Sequence, residues 1–529
     1  MVNKAAREKL ISYTLAALAI LIPYFILVPN YFPYTGFAIT FAALSTIVFS
    51  LHKQKTAYII ALFAAALASS FFLMLRANMF LALLNSLAVI YINSVSILIS
   101  RNHPRSIITI VLAPMAIFFS SLRIQHPQFR IALPKIQHKE ITRLISEPGR
   151  LLYSLAITLV LLIVIVPLLS SANPLFADLT ERILEYFNLP KQLQRFFSSL
   201  GPLHVVRIIV AAILFILLPR FATYTTSRAE SKRRTVSLLT NLPLLLPKIS
   251  IAIVLTIFFY THTQLYTSTA ETLQEMGYTQ SQYAREVFAQ LSVVALVIFA
   301  LVYNDRNQKP VSRTMTYILL IQALFLVVMA YKSDYDYSSL WGFTHKRLYG
   351  FAVVAWSTGV ILLFFSAYIK NNTRIFLKHG IMYTLLVLLG INIANFDYLI
   401  YHARKASYEW GPDYYYMASY LSADSDSYHE QQDELTRLIQ PLTTKNEDEH
   451  SRLNNYLASF NALSNNIVYI QNKYRQRVDL RTFNYAEYTA YEKIKHVSPA
   501  DMQASREKIQ KLLDMPLEEF YQVTPTRLY

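Results

Sequence analysis

Residues 56–75 read TAYIIALFAAALASSFFLML, and residues 79–99, which follow after three intervening positions, read MFLALLNSLAVIYINSVSILI. Each run is apolar over about 20 residues, which is the length that an α-helix needs to cross the hydrocarbon core of a bilayer. Neither run contains a charged side chain. The two runs therefore predict membrane-spanning helices, and they set the class of the whole chain.

The composition of the chain agrees with that class. Apolar residues make up 54% of the sequence and charged residues 15%, against about 25% charged residues in an ordinary soluble domain. Twelve apolar blocks recur along the 529 residues, with approximate bounds 10–28, 35–51, 56–75, 79–99, 106–122, 151–170, 203–219, 249–263, 286–303, 314–331, 349–368 and 380–394. We predict an all-α, polytopic helical membrane protein with about 11–12 spans and a small helical C-terminal domain.

Several classes of chemistry find no support in the sequence. The chain contains no cysteine, which excludes disulfides, thiolate metal sites and cysteine nucleophiles. It shows no glycine-rich phosphate loop and no nucleophile elbow, and its histidines lack metal-type pairing on a predicted helix. The 10 glycines are few, which disfavours the broken helices of an ion-coupled transporter. We expect no cofactor, no metal site and a non-enzymatic role.

The net charge of +17 resides in the membrane part of the chain. Residues 1–399 carry 34 basic and 14 acidic side chains, whereas residues 400–529 carry 15 and 18. Basic loops hold the cytoplasmic side of a membrane protein in place. We therefore expect the basic residues to meet anionic lipid headgroups at the cytoplasmic face, and we expect no nucleic-acid partner.

The distribution of the basic loops predicts an orientation. Loops 123–150, 220–248, 304–313 and 369–379 are basic and alternate along the chain, so all four should be cytoplasmic. If the N-terminus is inside and one early block does not cross, 25 basic residues of the membrane part lie inside and 9 outside. If all twelve blocks cross and the N-terminus is outside, 19 basic residues lie inside and 15 outside. Block 106–122, with Pro114 at its middle, is the expected non-crossing block. We predict an inner-membrane protein with a cytoplasmic N-terminus and an extracytoplasmic C-terminal domain.

The chain divides into four predicted parts. They are the N-terminal transmembrane helices at 1–122, the basic cytoplasmic loop at 123–150, the transmembrane core at 151–399, and a helical extramembrane domain at 400–529. Within the core, segment 173–202 has apolar residues at helical spacing with charges on the other face, which is typical of helices that lie in the membrane interface. In the last part, helical patterns cover about 427–443, 447–463, 483–496 and 499–513.

Five short motifs resemble those of a bacterial family of polytopic membrane proteins, the domain-of-unknown-function 4153/4173 group. They are Pro167–Phe176 (PLLSSANPLF, similar to LLSSADPVF), Tyr283–Phe288 (YAREVF, similar to YAR-x-GF), Gly342–Arg347 (GFTHKR, similar to GLT-x-x-R), Asn395–Ile400 (NFDYLI, similar to NPDALIA) and Tyr420–Asp424 (YLSAD, similar to YL-x-x-L-S-x-D). Asn173 replaces an acid, Val287 a glycine and Phe396 a proline. The resemblance implies a multi-pass fold and brings no activity with it.

Under the predicted orientation, all five motifs fall at the outer face. The residues that would form an outer-face binding cluster are Asn173, Gln264, Tyr283, Arg285, Thr344, Arg347, Asn395 and Asp397. The alternative interpretation is that these residues cap helix ends and anchor them at the headgroup level. On the first interpretation, Arg285, Arg347 and Asp397 would form a hydrogen-bonded network that could also hold an anionic headgroup or glycan.

Two classes of function remain open on this sequence. The first is a non-enzymatic membrane module: a sensor, an anchor or an assembly partner that binds a protein through the C-terminal domain. The alternative is a transporter or a lipid- or glycan-handling protein with a site at the outer face.

Overall fold

A computed structural model describes most of the chain. The described residues are 31–50, 54–100, 147–186, 244–266, 280–304, 310–370, 373–408, 411–439, 447–475 and 479–514, with a few isolated positions elsewhere. Within them the chain is helical almost throughout. The one strand pairing described is two residues long and joins Ser407–Tyr408 to Gly411–Pro412 in antiparallel register.

The described residues before position 395 form ten helices. These are α1 Tyr34–Ser50, α2 Ala57–Leu75, α3 Met79–Ser100, α4 Glu147–Ala172, α5 Pro174–Tyr186, α6 Leu245–Tyr266, α7 Gln280–Asn304, α8 Pro310–Trp341, α9 His345–Ile369 and α10 Thr373–Ala394. Nine of them coincide with predicted apolar blocks. The tenth, α5, lies in the segment predicted to be interfacial, and the rest of that segment lies outside the described residues.

Seven of these helices are long and apolar enough to cross a membrane, judged by length and composition within the described residues. They are α2, α3, α4, α6, α8, α9 and α10, and two shorter apolar helices occur at Tyr34–Ser50 and Gln290–Tyr303. Predicted block 203–219, and most of blocks 10–28 and 106–122, lie outside the described residues. The prediction of an all-α, multi-pass membrane protein is confirmed.

The chain after position 395 is also helical. A short turn at Phe396–Tyr398 continues into a π-turn at Leu399–Ala403, and a 3₁₀ turn occurs at Ala423–Ser425. The helices are α11 Tyr414–Tyr420, α12 Tyr428–Ile439, α13 Glu447–Arg475, α14 Tyr485–Ile494 and α15 Pro499–Asp514. Helix α13 packs against α11, α14 and α15. This arrangement is the small helical C-terminal domain that the sequence predicts.

The described chain separates into two compact units. The first comprises described residues of Met1–His103, Trp341–His345 and Leu388–Tyr529, so it combines α1 to α3 with the C-terminal helices. The second comprises described residues of Pro104–Leu340 and Lys346–Val387. In the second unit α4 packs against α6 and α7 around a core of buried aliphatic and aromatic side chains.

Lys248 differs from its predicted position. The sequence places it at the end of the basic loop 220–248, but it lies within α6 and its side chain is 0% exposed. Its ammonium group donates hydrogen bonds to the Ser312 carbonyl at 3.1 Å, to the Ser312 hydroxyl at 3.0 Å and to the Thr316 hydroxyl at 2.7 Å. These oxygens of α8 supply the polar contacts that a buried ammonium requires.

The reversal between α8 and α9 depends on a glycine. Gly342 has a φ of +70°, and a Cβ atom at this position would lie 1.9 Å from the carbonyl oxygen of Lys405. The next residue, Phe343, donates its backbone N–H to the Arg404 carbonyl at 3.1 Å. The close approach of these two backbone segments requires a residue without a side chain.

We expect Gly342→Ala to lower the thermal midpoint in detergent, because the added methyl group meets backbone and the left-handed conformation costs about 1–3 kcal/mol. Gly390→Ala is the matched control, since Gly390 lies within α10 and a Cβ there would meet nothing within 4 Å. An equal midpoint for the two variants would contradict the role assigned to Gly342.

Candidate functional site

A group of buried and half-buried polar side chains lies where helix ends of the first unit meet the start of the C-terminal domain. We call it the aspartate cluster, and it consists of Arg76, Asn78, His345, Asp397, Ser422 and Asp424. Its two carboxylates are almost inaccessible, with Asp397 at 1% and Asp424 at 4% exposure. Buried carboxylates are uncommon unless polar groups surround them.

Asp397 accepts hydrogen bonds from three separate parts of the chain. One oxygen accepts a hydrogen bond from the Asn78 side-chain amide at 2.8 Å. The other accepts from the His345 ring at 3.0 Å and from the Ser422 backbone N–H at 3.0 Å. The carboxylate therefore joins the α2–α3 turn, the start of α9 and the segment after α11.

His345 connects Asp397 to the partly exposed hydroxyl of Tyr416. The Nδ1 atom lies 2.9 Å from the Tyr416 oxygen, which also accepts the His345 backbone N–H at 2.9 Å. A carboxylate only accepts hydrogen bonds, so the Nε2 atom of the ring carries a hydrogen and donates it to Asp397. The order Tyr416–His345–Asp397 fixes the ring in one orientation.

Asp424 caps the beginning of α3. One of its oxygens accepts the backbone N–H groups of Ala77 at 2.9 Å and Asn78 at 2.8 Å, and the Ser422 hydroxyl donates to it at 3.2 Å. Its other oxygen lies 3.8 Å from the Arg76 guanidinium. A carboxylate at a helix N-terminus satisfies donors that have no partner within the helix.

Arg76 donates hydrogen bonds to the C-terminal end of a helix. Its guanidinium donates to the carbonyl of Asn392 at 2.6 Å and approaches that of Ile393 at 3.5 Å, near the C-terminus of α10. The side-chain amides of Asn392 and Asn85 exchange hydrogen bonds at 2.8 and 3.0 Å. These contacts tie α10 to the α2–α3 turn and to α3.

Burial changes the acidity of Asp424. It raises the pKa of this carboxyl group to about 7, and the neighbouring Asp397 carboxylate adds to the increase. Arg76 and the two backbone N–H groups act in the opposite direction. The cluster therefore contains a carboxyl group that titrates near neutral pH.

A second set of contacts attaches the C-terminal domain to α1 and α2. The Thr35 hydroxyl donates to the Phe483 carbonyl at 2.7 Å, and the Gly36 backbone N–H donates to the Arg481 carbonyl at 2.9 Å. The Asn484 side-chain amide donates to the Arg76 carbonyl at 2.7 Å. Close by, a buried ion pair joins Lys473 of α13 to Glu487 of α14.

The structure brings two of the predicted site residues to this cluster. Asp397 is one of its members, and Asn395 caps the turn at Phe396–Tyr398 and donates its side-chain amide to the Asp424 carbonyl at 2.8 Å. Asn173, in the second unit, caps α5 and donates to the Thr261 hydroxyl at 3.2 Å.

The other predicted site residues are placed as follows. Thr344 is half-buried between α8 and α9, and the guanidinium of Arg347 lies 4.1 Å from the ring centre of Tyr337. Gln264 lies in α6, and Tyr283 and Arg285 lie in α7, with side chains outside the described residues. The network of Arg285, Arg347 and Asp397 therefore stays a prediction.

Four residues of the cluster are not among the predicted site residues: Arg76, Asn78, His345 and Asp424. Arg76 and Asn78 occupy the three-residue gap between two charge-free apolar blocks, which is a signal that a helix end there needs polar partners. His345 and Asp424 lie within two of the short motifs, Gly342–Arg347 and Tyr420–Asp424.

A family model, described as a domain of unknown function (DUF4153), matches residues 39–431. The match covers more than half of the chain and includes the aspartate cluster. No curated protein and no solved structure shows a significant match to the chain.

We expect Asp397→Ala to destabilise the protein by about 2–4 kcal/mol, because it leaves several buried donors without an acceptor. Thermal and denaturant unfolding in detergent measure the loss. The control is Asp433→Ala, which removes an exposed carboxylate of α12. Comparable small effects from the two substitutions would show that the buried contacts contribute little.

Asp424 should also make stability depend on pH. Its pKa of about 7 in the folded protein exceeds its ordinary value of 3.8, so the folded state binds this proton more tightly than the unfolded state does. The contribution stabilises the fold below about pH 4 and is lost as the pH rises to about 7.

The measurement is the thermal midpoint of Asp424→Asn relative to the wild type between pH 4 and 8. We expect the relative midpoint of the variant to increase with pH up to about 7 and then to level off. Asp433→Asn is the control and should show no such trend. A constant difference for Asp424→Asn would contradict the assigned titration.

Proposed function

The chain belongs to this family of unknown function, and from that premise we propose that it is a non-enzymatic membrane module: a sensor, anchor or assembly partner. In this proposal the multi-pass part lies in the inner membrane and holds the helical C-terminal domain at the extracytoplasmic face. The domain in turn binds a protein partner. Anionic lipid headgroups meet the basic loops at the cytoplasmic face.

The observation that carries the proposal is the way the polar groups of the aspartate cluster are used. Both oxygens of Asp397 and one oxygen of Asp424 already accept hydrogen bonds from the protein itself. Groups that act on a substrate line a concave pocket that the substrate can enter. Here they join helix ends to a domain, which supports a role in holding that domain in place.

Contacts within the first unit support the proposed orientation. The start of α1, the α2–α3 turn, the start of α9 and the end of α10 all contact the C-terminal domain or the segment that leads into it. We therefore expect these four helix ends to lie on the same side of the membrane. The arrangement with 25 basic residues inside and 9 outside requires them to do so.

Single-cysteine labelling tests the orientation, and the chain has no native cysteine to remove. Ala504 is exposed on α15, and Lys55 is exposed before α2 at the end remote from the C-terminal domain. We expect a membrane-impermeant maleimide to label Ala504→Cys in intact spheroplasts, and to label Lys55→Cys only after permeabilisation. Labelling in the reverse pattern would overturn the orientation.

The function itself is tested by two measurements on the full chain. A photo-crosslinking amino acid at Glu430 or Ala504, both exposed on the C-terminal domain, should give one defined protein adduct in cells. The same amino acid at Ile393, an exposed apolar position of α10, should give none. Protein-dependent movement of solutes or lipids in proteoliposomes, with no protein adduct, would instead favour a transporter or a lipid- or glycan-handling protein.

A further inference from the structure

The exposed large apolar and aromatic side chains of the C-terminal domain are unevenly distributed. Among the described residues after position 400 there are six, which we call the aromatic rim: Tyr415, Tyr420, Tyr469, Leu480, Tyr485 and Tyr488. Leu480 is 77% exposed. Helices α12 and α15, within their described side chains, contribute none. Within the described residues, the exposed side chains of this kind are therefore carried by α11, α13, α14 and the connection before α14.

Three rim residues lie beside the ends of two apolar helices. Leu480, Tyr485 and Tyr488 flank residues 481–484, which hydrogen-bond to the start of α1 and to the turn after α2. Helix α2 is apolar along its whole length and long enough to span a bilayer. A side chain next to the end of such a helix lies at the depth of the headgroups.

The other three rim residues are also close to helix ends. The ring of Tyr469 lies 5.6 Å from that of Tyr31, which precedes α1. Tyr420 stacks on Tyr416 at 5.2 Å, and Tyr416 hydrogen-bonds to the first residue of α9. Tyr415 lies on the same short helix, α11. The rim therefore follows the boundary at which the apolar helices of the first unit end.

We propose that the aromatic rim contacts lipid, so that the C-terminal domain lies on the bilayer surface at the boundary between headgroups and acyl chains. Five of the six rim residues are tyrosines, whose ring is apolar and whose hydroxyl stays hydrated, and this side chain is enriched at membrane interfaces. The sixth, Leu480, sits at the tip of the connection before α14 and enters the acyl region.

Lipid fits this surface better than a second protein does. The helices whose ends adjoin the rim also expose apolar side chains near those ends, such as Ile39 of α1 and Phe71 of α2. A soluble protein could cover the rim only by displacing the lipid around these helix ends. The proposal rests on the membrane-spanning helices and not on the proposed function, so either one can fail alone.

The test uses single cysteines in the full chain, which has none of its own. Leu480→Cys and Tyr485→Cys report on the rim. Ala504→Cys and Glu430→Cys are matched exposed controls on α15 and α12. Each variant is labelled with an environment-sensitive fluorophore, reconstituted in lipid nanodiscs, and measured with and without lipids brominated near the headgroup.

We expect brominated lipid to quench the two rim labels several-fold more than the two control labels, and we expect the rim labels to emit at shorter wavelength. Equal quenching at all four positions would overturn the proposal. So would rim labels that brominated lipid does not quench, together with a protein crosslink at Leu480 in native membranes. Because Leu480 is so exposed, its replacement by cysteine leaves the packing of the domain intact.

Discussion

The hydrogen bonds from the backbone N–H groups of Ala77 and Asn78 to the Asp424 carboxylate are the interaction on which the first unit depends. A helix leaves its first N–H groups and its last carbonyls without partners, and next to a bilayer the shortage of water makes such groups costly. The α2–α3 connection supplies part of what is needed, because the Asn78 side-chain oxygen accepts the N–H groups of Phe80 and Leu81. The N–H groups of Ala77 and Asn78, just before the helix, find their acceptor in a residue more than 300 positions later in the chain, so the C-terminal domain holds this connection in place.

The same constraint explains the position of Arg76. Its guanidinium reaches the carbonyls at the end of α10, which need donors, while it also approaches Asp424. A single turn therefore contributes the groups for a helix beginning, α3, and for a helix end, α10. The charge of Arg76 is offset by an aspartate that the same turn binds, and this pairing limits the cost of burying both groups.

The helices could be predicted from the sequence, and their partners could not. Hydrophobic length located nine apolar helices, although α8 continues to Trp341, well past the predicted block end at 331, and the helical pattern at 499–513 located α15. The contacts of the aspartate cluster depend on which helix ends lie side by side, and hydropathy has no information on lateral order. Charge parity went one step further, because it predicted that all five motifs, including the one with Asn395 and Asp397, lie on one face. It could not show that Asn78 and Asp424 complete that group.

Lys248 also shows that the local sequence does not reveal which helices lie side by side. A basic residue at the edge of a basic loop is typical of the headgroup region, yet this one is buried against the oxygens of Ser312 and Thr316. Its surroundings depend on α8 lying beside α6, which the local sequence does not encode. The polar residues that matter most in this protein are therefore those at helix ends, where the free-energy cost of burying a polar group depends on which distant segment packs against it.

The aromatic rim needs no such pairing, because lipid surrounds a helix end on every side that protein leaves open. The aspartate cluster can thus fix which face of the domain meets the helices, while the rim would set the depth at which the domain lies.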